Sequence, residues 1–142
     1  MPRNRASVTI LRLTREQLRL LREAARKSHP VEACALLFGK LVNDEATITK
    51  VIVTRNILQS TVRFEVEPQT VFKAFEQADR EGIEFIGLFH SHPAPASPST
   101  VDLQYMRLWG SAVWLILSSA DGNLATFQMV DGEVHEITLK VE

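Results

Sequence analysis

Residues 84–102 read EFIGLFHSHPAPASPSTVD: an apolar run ending in His90-Ser91-His92-Pro93, then Ser99-Thr100-Val101-Asp102. The run over residues 84–90 predicts a buried strand. A strand alternates its faces every residue, so His90 and His92 at its end point to the same side. Two imidazoles fixed on one face suit zinc, which takes tetrahedral nitrogen and oxygen ligands. The Pro- and Ser-rich loop leads into a helix predicted from about Ser99 to Trp109. Asp102 falls on its first turn, where the loop can fold it back to the histidines. Two histidines and an aspartate would fill three positions and leave one for water, which is the arrangement of catalytic zinc sites, since structural sites usually close all four with protein.

Outward from this segment, the chain alternates strand and helix patterns. Residues 7–13 (SVTILRL) alternate as a strand. Thr14 and Gln17 have capping-box spacing and open a helix. Its inner face carries Leu18, Leu21 and Ala25, Glu23 and Lys27 can pair on its outer face, and Pro30 stops it. Residues 33–41 and 46–54 read as neighbouring strands joined at Asn43-Asp44. Residues 55–66 are less regular. Pro68 begins a second helix with Val71, Phe72, Phe75 and Ala78 inward and Gly82 beyond its end. Residues 112–119, 124–130 and 133–141 give three further strands, the last two joined at Asp131-Gly132. The order β-α-β-β-α-β-α-β-β-β implies a mixed α/β (α+β) domain, a central sheet flanked by helices, spanning 1–142 as one unit.

Composition sets outer bounds. The chain is 45% hydrophobic and 23% charged, ordinary for a globular protein. Sixteen basic and 17 acidic residues give a formal net charge of −1, which speaks against nucleic acid as the main partner. No apolar run is long enough to span a membrane or act as a secretory signal. A single cysteine, Cys34, precludes an intrachain disulfide. These features predict a cytoplasmic protein with no membrane partner. They leave a monomer, a homodimer and a larger complex open.

Each motif residue also has a plain structural explanation. Ser99-x-x-Asp102 is a helix capping box in its own right, and Ser99 can cap the helix while still facing a metal. Many His-x-His pairs in strands bind nothing. Glu32 alone would be a carboxylate at a strand end. Cys34, amid Ala33, Ala35, Leu36 and Leu37, reads as a small buried residue and not as a nucleophile. His29 sits at a helix end and His135 on an edge-like strand, and neither is assigned a role.

The ensemble resembles the JAMM (MPN+) metallopeptidase family. Its pattern of an upstream glutamate, His-x-His-Pro and Ser-x-x-Asp is matched by Glu32 and by residues 90–102. Pro30-Val31-Glu32-Ala33-Cys34, with Leu36, Leu37 and Gly39, is similar to the family's context around its glutamate. Ala35 departs from a common glycine. Asn56, Ser60, Phe64 and Glu67-Pro68 resemble the family's central segment.

The resemblance implies a cytidine-deaminase-like MPN fold and one zinc ion per chain held by His90, His92 and Asp102. It implies Glu32 as general base and Ser99 as oxyanion donor. The implied substrate is ubiquitin or a ubiquitin-like protein, bound by its C-terminal tail and cut at the amide bond beyond it. A different pathway, trimming of a ubiquitin-like sulfur carrier, would use the same residues. A non-catalytic scaffold would lack part of the motif. The resemblance also implies that residues 58–66 (LQSTVRFEV) form a strand or flap beside the metal. Ser60, Thr61, Val62, Arg63 and Phe64 would then bind the tail as an added strand.

Overall fold

Each helix is set by local chemistry at its ends. In a computed structural model describing residues 7–61 and 63–142, helix α1 (Arg15–Ser28) starts at Thr14. The Thr14 hydroxyl accepts from the Gln17 N–H and the Gln17 side chain accepts from the Thr14 N–H, at 3.0 and 2.8 Å. Leu21 and Ala25 are buried from α1. Lys27 stands 3.9 Å from Glu23, whose firmer partner is Arg26. Helix α2 (Pro68–Glu81) begins with proline and stops at Gly82, whose φ of +70° ends the helix in the left-handed region. Helix α3 (Thr100–Leu108) is capped by Ser99.

The strands are β1 (Ile10–Leu13), β2 (Cys34–Val42), β3 (Glu45–Thr54), β4 (Glu84–His92), β5 (Val113–Ser118), β6 (Leu124–Val130) and β7 (Glu133–Val141). Element kinds and order match the sequence reading. The sheet, however, closes on itself in the order β1-β3-β2-β4-β5-β6-β7. Four-residue β1 makes the closure by pairing in parallel with both β3 and β7. Strand β7 is therefore not an edge, since it lies between β6 and β1.

The two faces of the sheet bury different cores. Ala35, Leu37, Phe89 and Leu115 pack with Leu21 and Ala25 of α1. Leu36, Leu88, Trp114 and Ile116 pack on the other face with Ala74 and Ala78 of α2 and Met106 of α3. Strands β4 and β5 are thus covered on both sides, which explains their near-continuous apolar sequence. Phe72 corrects the expected inner face of α2: it is 67% exposed. The buried stripe runs through Val71, Ala74, Phe75 and Ala78, and Phe72 lies about 100° off it.

One irregularity decides where the histidines point. Between β2 and β4 the register steps from Leu37↔Gly87 to Phe38↔Phe85, leaving Ile86 as an extra residue. Such a bulge reverses the alternation beyond it. From Gly87 onward the phase puts Leu88, His90 and His92 on the α2/α3 side. Gly87 is needed there because a Cβ would stand 1.8 Å from the Val113 carbonyl oxygen of β5.

Candidate active site

Strand β4 carries His90 and His92 to the end of the sheet under α3. Both are buried, as are Asp102 and Glu32. The Pro-rich loop brings the N-terminus of α3 back over the strand end. Asp102 Oδ2 then lies 3.1 Å from His90 Nε2 and 3.6 Å from His92 Nε2. One ligand atom from each of these residues fits within 4.8 Å of the others.

The capping box orients the carboxylate. Asp102 Oδ2 accepts the Ser99 N–H at 2.9 Å, and the Ser99 hydroxyl oxygen accepts the Asp102 N–H at 3.1 Å. That bond uses a lone pair of Ser99 Oγ and leaves its proton free to be donated. The structural and chemical readings of Ser99 therefore coexist.

Glu32 arrives from the residues just before β2, the strand beside β4. Cys34 is the register partner of His90, so continuing the ladder two residues puts Glu32 opposite His92 on the same face. Ser91, between the histidines, faces away and locks this arrangement. Its hydroxyl accepts the Ala33 N–H and its N–H donates to the Ala33 carbonyl, both at 3.0 Å.

His90 is also walled in by rings. Phe64 stacks on it at 4.9 Å between centroids, and Trp114 meets it edge-on at 5.8 Å. Sequence reasoning missed Ser91 and Trp114 as supports. The alternation that points His90 to one face also points Ser91 to the other, a signal present in the sequence.

Burial shapes the charges. Burial first, then the Asp102 charge, pushes the Glu32 carboxyl up to about 8, with His92 opposing. Burial also disfavours the Asp102 carboxylate, but His90, His92 and the Ser99 N–H outweigh it and hold that carboxyl well below the ordinary range. Contact with Asp102 raises the His92 imidazole against the effect of burial. Burial pushes the Cys34 thiol up to about 11, and its Sγ lies 3.2 Å from the Thr54 hydroxyl. A thiol so protonated is not a nucleophile near neutrality.

The donor set fits a zinc ion. Glu32 Oε1 and both ring nitrogens of His90 and His92 are buried without a hydrogen-bond partner. Although His90 Nε2 is close to Asp102, the contact lacks hydrogen-bond alignment. Buried polar atoms are otherwise almost always paired, so nitrogens converging unpaired on a carboxylate oxygen are matched to a cation.

Of the strand or flap expected for the substrate segment, the structure does not form the strand. Residues 57–61 and 63–65 belong to no strand, and an isolated bridge joins Asn56 to Val66 among the described residues. Thr61 and Arg63 are exposed and Ser60 half-buried. Val62 lies outside the described residues. Phe64 is 3% exposed and stacked on His90, so its ring packs against a metal-ligand candidate.

A closed mixed sheet with buried His-His-Asp and a glutamate brought beside them defines a peptidase of the JAMM type. The chain belongs to the prokaryotic homologs of the JAB domain, whose family profile matches residues 14–130. It is 39% identical over 116 residues to a desampylase of Pyrococcus furiosus, covering 81% of this chain and 79% of that one. It is 31% identical over 124 residues to a probable TtuB-protein conjugate cleaving protease of Thermus thermophilus, covering 86% and 73%. A Desulfitobacterium hafniense protein solved in solution superimposes with a TM-score of 0.82 at 29% identity, covering 93% of this chain and 92% of that one. Among the described residues, no helix is long and apolar enough to cross a membrane.

Proposed function

We propose that this protein is a zinc-dependent isopeptidase that hydrolyses the amide bond following the C-terminal tail of a ubiquitin-like modifier. The observation that carries the reading is the convergence of unpaired, buried His90 and His92 nitrogens on Asp102, with the Glu32 carboxyl on the same face. Relatives named for cleaving protein conjugates support the substrate class.

His90, His92 and Asp102 would hold the zinc. When bound, zinc lowers the pKa of a coordinated water to about 7 and polarises a carbonyl. Glu32 accepts the proton of the attacking water and passes it to the leaving amine. Burial favours the neutral carboxyl in the metal-free protein, whereas a bound cation would favour the carboxylate that accepts the proton, so the two forms the task needs are both within reach. Ser99 donates its free hydroxyl proton to the oxygen that gains charge as the amide is attacked. Cys34 takes no part. Thr61 and Arg63 meet the tail on the exposed loop. The Ser60 carbonyl is already committed to the Glu32 N–H, so main-chain pairing with the tail falls to its neighbours.

The test is cleavage of a panel of ubiquitin-like proteins, each joined to a target lysine or carrying a linear extension, with products read by mass spectrometry. Zinc-loaded protein should release the intact modifier, a chelator should stop the reaction and added zinc should restore it. Folded, zinc-loaded protein that cleaves no member of the panel refutes the reading. Cleavage of linear extensions alone would narrow the activity to trimming.

A further inference from the structure

Glu32 belongs to no helix or strand, since the β2 ladder starts two residues later. Its main chain is held from outside. Its N–H donates to the Ser60 carbonyl at 2.8 Å. Its own carbonyl accepts from Asn56 Nδ2 at 3.1 Å. Both partners belong to the segment from Asn56 to Val66.

Asn56 also closes that segment. Its Oδ1 accepts the Leu58 N–H and the Glu65 N–H, each at 3.1 Å. Its Nδ2 makes a second donation, to the Arg63 carbonyl at 3.1 Å. A primary amide offers two donors and two acceptor sites, and all four are used here. Asn56 is 5% exposed, so losing any of these bonds would strand a buried group. The side chain stands in for a strand ladder: it ties the outgoing limb, the returning limb and the backbone of Glu32 at one point. Beyond the tie, Ile57 and Leu58 expose apolar side chains at 36% and 40%.

We propose that Asn56 is a positioning residue that couples the chain around Leu58, Arg63 and Glu65 to Glu32, so that substrate contact with this loop sets the orientation of the carboxyl. The proposal rests on Glu32 being the general base, as argued above. The loop cannot shift at Leu58, Arg63 or Glu65 without moving the amide, and the amide cannot move without releasing the Glu32 carbonyl. Substrate that steadies the loop thereby steadies the base, a coupling that acts on turnover more than on affinity.

Asn56→Asp separates this role from simple folding. The aspartate keeps both acceptor bonds and the side-chain shape. It loses both donors and sets a carboxylate oxygen against the carbonyls of Glu32 and Arg63. The variant should retain about one zinc and cleave a ubiquitin-like conjugate with kcat reduced at least about tenfold and KM within about threefold. A folded, zinc-loaded variant whose kcat stays within about threefold of wild type overturns the coupling, as does a loss confined to KM. Wild-type protein gives a second measurement should the variant fail to fold. Saturating free modifier, the cleavage product, should slow hydrogen exchange at the Glu32 amide in step with those of Leu58 and Glu65. Protection of Leu58 and Glu65 without Glu32, or no protection at any of the three, also overturns it. Wild-type protein that cleaves no conjugate refutes the proposed function, whereas cleavage by wild type with an equal kcat in Asn56→Asp refutes the coupling alone.

Discussion

Glu32→Gln should make the metal-free protein more stable while removing its activity. The side chain is 1% exposed, and its carboxyl titrates at about 8 against an ordinary value of 4.5. The folded state therefore keeps a proton that the unfolded chain releases. A raised carboxyl pKa lowers stability as pH climbs from 4.5 towards 8. At pH 7 the gap spans about 2.5 pH units, or about 3 kcal/mol at 1.36 kcal/mol per unit. Any water reaching the carboxyl reduces that figure, so it is an upper value. Glutamine has nearly the same shape and does not titrate. For a chain of this length, about 3 kcal/mol corresponds to roughly 10 °C in unfolding temperature. The assay is thermal unfolding by circular dichroism in chelator, comparing both proteins at pH 5 and pH 7. The gain should be under about 1 kcal/mol at pH 5 and should open up at pH 7. Zinc should shrink it, since a dication beside the carboxylate favours the charged form. Equal unfolding temperatures at both pH values would refute the claim that Glu32 is held in a desolvated, charge-opposed position.

Two further substitutions separate ligand from donor. Asp102→Ala should drop the zinc content from about one equivalent per chain to near zero by metal analysis, since tetrahedral catalytic sites have three protein ligands; retained zinc would overturn the ligand set. Ser99→Ala should keep zinc, lose about 1 kcal/mol of helix capping and lose about 10²–10³ in kcat, the scale for one oxyanion donor. A melting shift with unchanged kcat would reduce Ser99 to a cap.

The sequence was most legible where function and local structure share a rule. Alternation along β4 predicts His90 and His92 on one face, and the Ser99 capping box predicts the turn that carries Asp102. Glu32 was out of reach of any local rule. It lies 58 residues before His90 and joins the histidines only through the β2–β4 register, so only the family resemblance pointed to it. The loop misled for a related reason. Phe64 and Val66 do alternate inward. Yet the backbone around them bonds to the Asn56 amide in place of a neighbouring strand. Periodicity reports which side chains are buried, not what satisfies the main chain. Barrel closure was hidden likewise, because the four residues of β1 disclose a strand but not its two partners.

The site also explains why the sheet is so apolar around it. Five polar atoms of Glu32, His90 and His92 are buried without partners, and each such group opposes folding when no cation is bound. A scaffold must over-determine a site of this kind for it to persist. Strand β4 does so by being buried on both faces and hydrogen-bonded to β2 and β5. Phe64 and Trp114 close round His90 where a softer pocket would let the ring turn away to find water. The same burial that raises the Cys34 thiol raises the Glu32 carboxyl, so one apolar environment disfavours the charged form of both groups.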